Sequence, residues 1–283
     1  MYTVHYLVHR SKAVVNVMGM ESEYMKRKKF AKAAVLCICI LGIVAVVTFA
    51  VSMNSEEVDN RFTYGNVSIL LTEVNFNNPA NEAKKVMTPL SKVDKDPVIV
   101  NNGKNDAVVF LKVEIPKAEV DVVDETTNRV ITPKESRQLF DMITTYQVQK
   151  VVDGETQTVE EDCKQVREEN WKLISKDDTS AEKVTYIYGY NKVLKVNKNV
   201  EGDTDYMTSP LFDKIQLINI LETDLATLPK NVGNINVYAY AIQADNILIN
   251  NQKVTDIELQ SYDEDTGVYE NLREIYQKYV NNN

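Results

Sequence analysis

Histidine is almost missing from this chain. Its two copies, His5 and His9, stand near the start, so beyond residue 9 a Ser-His-Asp or Cys-His site and an HExxH zinc site all lack their imidazole. Cysteine is as scarce. Cys37 and Cys39 lie inside an apolar run, and Cys163 stands alone in the remainder of the chain, which excludes an intramolecular disulfide there. Cys163 comes directly after Glu160-Glu161-Asp162, acidic neighbours that disfavour a thiolate nucleophile, and it reads as a helix-face residue. The one tryptophan, Trp171, reads as core. Neither an internal repeat nor a low-complexity linker is found. What stays open to catalysis is a pair of carboxylates or an all-oxygen metal site, and the chain is read as no enzyme and as needing no cofactor.

The N-terminal part carries the clearest signal that is present. A basic cluster, Lys26-Arg27-Lys28-Lys29, precedes an apolar run over residues 33–53 that contains no charge. A basic region, an apolar region and small residues at its end are the marks of an export signal. The small pairs Thr48/Ala50 and Ala50/Ser52 predict cleavage after Ala50 or Ser52. The same run is long enough to span a hydrocarbon core of about 30 Å, so a retained membrane anchor stays open. Either way the positive-inside rule places residues 54–283 outside the cytoplasm. Residues 1–25 contain Met18, Met20 and Met25 and read as a mis-assigned start or a leader. The expected organisation is therefore 1–25 as leader, 26–53 as signal peptide or anchor, and 54–283 as a single β-sandwich domain.

Residues 1–52 hold seven of the 32 Lys/Arg and two of the 41 Asp/Glu, leaving 25 basic against 39 acidic side chains, a net charge near −14. That charge argues against nucleic acid as a partner, and against anionic lipid except through residues 33–53 if uncleaved. It also keeps free monomers apart. About 230 residues can bury an adequate core without disulfide staples.

The exported region reads as strands separated by polar turns. Residues 61–74 put Val67, Ile69 and Leu71 on one face, and residues 107–115 come after the turn-forming Asn101-Asn102-Gly103 and Asn105-Asp106. Residues 183–190 align Val184, Tyr186, Tyr188 and Tyr190, while residues 211–221 and 235–242 are two further apolar runs. Period-two patterning with β-branched and aromatic enrichment predicts an all-β, mostly antiparallel sandwich. A few short peripheral helices are expected. Thr132-Pro133-Lys134-Glu135 reads as a capping box with proline at the first helical position, followed by Leu139, Phe140 and Ile143. Thr158-Val159-Glu160-Glu161 reads as a second, weaker box. The last helix shows an apolar stripe of Val268, Leu272, Ile275, Tyr276 and Tyr279 and is expected at the edge or mouth of the sandwich. Residues 121–176 read as a charged connection of mixed helix and strand.

Two acidic clusters bear on calcium. Asp263 and Asp265, with Glu274 eleven positions after Asp263, match positions 1, 3 and 12 of an EF-hand loop, but Val268 occupies the position that needs glycine and Gly267 stands one place early. The simpler reading is a helix N-terminus, where acidic residues suit the dipole. Asp203 and Asp205 read as an acidic turn or a weak ligand set. Tyr186, Tyr188, Tyr190, Tyr238 and Tyr240 suit either sheet packing, the commoner use of strand aromatics, or a carbohydrate-facing surface.

Several segments together resemble the TasA/camelysin family, secreted proteins of Gram-positive bacteria with SipW-dependent-type signal peptides. They are RFTYGNVSILLTE (61–73), PLSKVDKDPVIVNNGKNDAVVFLKV (89–113), NWKL (170–173), TSPLFD (208–213) and AYAIQADN (239–246), in family order across nearly the whole exported region. The resemblance implies a jelly-roll-like sandwich and an extracellular or cell-surface subunit of biofilm-matrix fibres. Its partners would be other copies of itself or related matrix subunits, with signal peptidase during export. It further implies that the N-terminal stretch of one subunit completes the sheet of the next, which maps Val51, Met53, Val58 and Phe62 onto a donor strand. The chain departs from its relatives at VSMNSEEV (51–58), polar and acidic where they are aromatic-rich. The family also carries the alternative of a surface metallo-endopeptidase, against which the missing histidines count. A third reading, with residues 33–53 retained, is a membrane-tethered binding or adhesion module.

Overall fold

Residues 107–111 are apolar at odd and even positions alike, the signature of a strand buried on both faces. They form the centre of the molecule. The computed structural model describes residues 62–64, 67–78, 88–127, 129–152, 154–228 and 235–281, all within one unit, Met53–Asn283. The expected export run, the expected cleavage residues Ala50 and Ser52, and the expected donor residues Val51, Met53 and Val58 lie outside the described residues.

In chain order the strands are β1 (Phe62–Tyr64), β2 (Ile69–Thr72), β3 (Lys92–Asp94), β4 (Val98–Asn101), β5 (Ala107–Val123), β6 (Val130–Gln138) and β7 (Phe140–Val152). Next come β8 (Glu155–Cys163), β9 (Trp171–Asp177), β10 (Lys183–Tyr190), β11 (Lys214–Leu217), helix α1 (Glu222–Thr227), β12 (Asn236–Gln243), β13 (Leu248–Ile249) and β14 (Gln252–Lys253). Helices α2 (Asp256–Leu259) and α3 (Glu270–Tyr276) close the chain, with a π turn over Gln277–Asn281.

The fold is an all-β sandwich. Its main sheet runs β1-β12-β5-β10-β9, and its second runs β3-β11-β7-β8 beside the β2-β4 pair. Strand β5 belongs to both ends of the structure. Its first half pairs with β10 and β12, and beyond Pro116 it pairs with β6 instead. There Val122 bridges Ile220 and Val123 N–H donates to Asn219 O at 2.9 Å, so β5 curls over to the chain just after β11. Register irregularities at residues 120–123 supply the bend, as β-bulges do.

Alternation along β5 feeds two cores. Val109, Leu111, Val113 and Ile115 face Val93, Phe140, Ile215 and Leu217 of the second sheet, with Trp171, Tyr188 and Tyr190 in the same cluster. Val108 and Phe110 face the other way, into a second cluster with Tyr240, Ile242, Leu259, Leu272 and Ile275. Each fully buried aliphatic or aromatic side chain here contributes about 1.5–3 kcal/mol of transfer free energy. The chain after β12 therefore forms a third layer over the outer face of the main sheet.

That layer corrects the expected seat of the last helix. The stripe is present, with Leu272 and Ile275 buried, but α3 lies on the sheet face rather than at an edge or mouth. Tyr276 meets Phe110 edge-on at 5.4 Å between centroids and Tyr240 at 6.2 Å. Gly189 of β10 permits the approach, because a Cβ there would stand 3.0 Å from Leu272 Cδ2.

Two expected helices are strands. Residues 132–135 lie in β6, with Pro133 in the irregular stretch of its pairing with β5, and Leu139, Phe140 and Ile143 bury into the sandwich from the β6-β7 corner. Residues 158–161 lie in β8, so Cys163 ends a strand and is no helix-face residue. Residues 121–176 hold no helix among the described residues. Two expected strands are shorter than their apolar runs: residues 61–74 split into β1 and β2, and within 211–221 only Lys214–Leu217 pairs in a ladder.

Candidate assembly edge

Strand β1 is joined to the main sheet in a way no other described strand shares. It pairs parallel to β12, with Phe62 opposite Tyr240, Thr63 opposite Ala241 and Tyr64 opposite Ile242. Every other ladder among the described residues is antiparallel. A parallel partner cannot arrive through a tight hairpin. It is here the start of the described domain laid beside a strand almost 180 residues later. Three residue pairs hold it. Strand β12 pairs with β5 along Asn236–Gln243, yet β1 covers only residues 240–242 of its other side, so no described strand pairs there with residues 236–239. An unpaired strand edge is where an incoming strand can add. Phe62, the one expected donor residue within the described set, opens β1.

The outer sheet face beside that open stretch is charged. Glu114 of β5 pairs in register with Asn236, and Lys112 with Tyr238. The Glu114 carboxylate is buried between Lys112 Nζ at 2.9 Å and Lys183 Nζ at 2.8 Å. Burial pushes its carboxyl up, but the bonds from Lys183 and Lys112 outweigh that and hold it below the usual carboxylate range. Lys112 Nζ also lies 4.7 Å from the Tyr238 ring centre. The Lys-x-Glu interruption of an otherwise apolar strand was the available sequence signal for this cluster.

The expected tyrosine surface does not exist as one surface. Tyr186, Tyr188 and Tyr190 turn towards the inter-sheet core, whereas Tyr238 and Tyr240 turn towards the C-terminal layer. They are packing residues. Burial pushes Tyr240 up and Tyr276 up to about 12. Trp171 is core as expected, its indole N–H donating to Ser209 O at 3.0 Å.

The calcium candidates are spread. Asp263 caps a tight turn before α3, its Oδ1 accepting from Asp265 N–H at 2.8 Å and Thr266 N–H at 3.3 Å, and Gly267 takes the positive φ. Asp265 and Glu274 are exposed, the latter on α3 itself. Asp203 Oδ1 accepts from Asp205 N–H at 3.0 Å, an acidic turn. Among the described residues no three or more His, Cys, Asp or Glu gather in a metal-holding group. A groove of about 610 Å³ lies beside the β5-β6 hairpin, lined by Asp124, Glu125, Arg137 and Lys164 among others. Its cations are engaged, Arg137 with Glu135 and Lys164 with Asp141. Among the described residues no helix is long and apolar enough to cross a membrane.

Comparison with protein-family models, curated proteins and solved structures returns no match for this chain.

Proposed function

We propose that this chain is an exported structural subunit of the cell surface or extracellular matrix of a Gram-positive bacterium, assembling with copies of itself or related subunits by exchange of its N-terminal strand. The observation that carries the reading is β1: a terminal strand of three pairs, parallel to β12, on an edge that extends beyond it. A strand at the start of a domain, held by few bonds, is the element most readily supplied by a neighbour instead. A donor strand keeping the register of Phe62 opposite Tyr240 brings Asn60 opposite Tyr238 and Val58 opposite Asn236. The likeness to the TasA/camelysin segments, the export signal before the domain and the lack of imidazole support the same reading.

The test is negative-stain electron microscopy of protein beginning at Val51 beside protein beginning at Thr63. Fibres from the longer form and none from the shorter are expected. Dispersed particles from both would sink strand exchange for this chain.

A further inference from the structure

The second sheet ends on an edge of a different kind. Strands β7 and β8 keep nine consecutive register pairs, from Thr144 opposite Cys163 to Val152 opposite Glu155, with no irregularity. Between them Gly154 takes φ +86°. Beyond Tyr146 the ribbon leaves the sandwich. Gln147, Gln149, Lys150 and Val151 are exposed, as are residues 154–158, and Val151 reaches 72%. A two-stranded ribbon wet on both faces is marginal by itself, and a third strand is what makes such a sheet stable.

The other described edges, apart from residues 236–239 of β12, are short, broken or charged. The β9 pairing is interrupted by a bulge and β9 bears Lys172 and Lys176, β6 contains Pro133, and β1 and β3 are three residues long. Strand β8 has no proline, lysine or bulge in nine residues. What it has is negative charge. Asp162 is matched by Lys92 at 2.7 Å and Lys214 at 2.9 Å, and Glu161 by Lys150 at 2.9 Å. No described cation pairs with Glu155 or with Glu160, whose carboxylate accepts only from Gln147 Nε2 at 3.0 Å among the described contacts. These charges repel a second β8, so the edge is closed to its own copy.

We infer that the free edge of β8 is a docking site for an extended cationic segment of a partner protein, added as a third strand to the β7-β8 ribbon. The pleat sets the partner's spacing. Residues directly opposite on neighbouring strands share a face, and Glu155 and Glu160 are five apart and so on opposite faces. A partner strand matches both with Lys or Arg five positions apart, and cannot do so with cations four apart.

The experiment uses the full chain and three octapeptides: TKVTVTKV, with lysines five apart; TKVTVKTV, of identical composition with lysines four apart; and the acidic TEVTVTEV. Hydrogen exchange read by mass spectrometry over residues 154–163 reports strand addition. Protection there with the first peptide is expected, with at least tenfold weaker binding of the second and none of the third. The Glu155→Lys/Glu160→Lys variant should lower affinity for the first peptide at least tenfold. Absence of protection, protection elsewhere, equal binding of the two lysine spacings, or indifference to the double charge reversal would each overturn the inference. Because residues 51–62 are not involved, fibre formation is decided separately.

Discussion

Replacing Gly189 by alanine examines the third layer directly. An added Cβ meets Leu272 Cδ2 at 3.0 Å, Leu272 Cδ1 at 3.1 Å and Phe110 Cε1 at 3.2 Å, against carbon contacts of about 3.5–4.0 Å at the optimum. Leu272 and Phe110 are both 0% exposed, so neither can swing away. Overpacking of a tight site costs about 1–3 kcal/mol, while alanine in place of a strand glycine returns about 0.5–1 kcal/mol through the unfolded chain. The net expectation for Gly189→Ala is a loss of about 1–2 kcal/mol. Leu272→Ala alone empties a buried site and should cost about 2–5 kcal/mol. In the double variant the new methyl enters space the leucine has left, so its loss should fall short of the sum of the two by about 1 kcal/mol or more. Urea unfolding of the four proteins gives the cycle. Additivity to within about 0.3–0.5 kcal/mol would mean that the two residues do not touch, and would refute the seating of α3 on β10.

Asp162 ties four strands together, with Lys92 on β3, Lys214 on β11 and Thr145 on β7 bonded to its carboxylate from β8. Burial pushes its carboxyl up, but the bonds from Lys92, Thr145 and Lys214 outweigh that and hold it well below the usual range. The stability it confers is therefore full above about pH 4, the unfolded carboxylate range, and is lost as pH falls through the lower folded pKa. Because the pair sites are partly exposed, Asp162→Asn should cost only about 1 kcal/mol at pH 7. Thermal melts should show the difference from wild type shrinking in 1 M salt and at acid pH. Trp171→Phe should lose about 1–3 kcal/mol in urea unfolding, from the lost volume and the stranded Ser209 carbonyl, and an unchanged midpoint would contradict its place in the core.

Three of the four T-x-x-E strings show why the helices were harder to read than the strands. TPKE (132–135), TVEE (158–161) and TDIE (255–258) carry the same local signal, and only Thr255 and Glu258 form a capping box. At 255–258 the first turn delivers Leu259 to the second core. At 158–161 the alternative was stronger: the sequence places the turn-favouring dipeptide Asp153-Gly154 between β-branched residues, and the chain pairs β7 with β8 in unbroken register instead of forming a helix. That dipeptide was legible in the sequence. At 132–135 the decision lay with the remote β5, whose far half needs a partner. The edge at β12 was not legible. Nothing local to residues 236–243 says which side stays open.

The sequence by itself determined the class of the fold and the composition of its core. Period-two alternation and doubly apolar runs commit residues to faces of strands, and that commitment is local: Val67 and Ile69, Val109 and Leu111, and Tyr188 and Tyr190 all bury as their spacing requires. The tertiary structure alone decided which strands are neighbours. Pairing partners lie tens to hundreds of residues apart, and backbone hydrogen bonds do not depend on side-chain identity. Which edge stays unpaired among the described residues, which face α3 covers, and where Glu114 meets its two lysines therefore emerge only when the whole chain closes on itself.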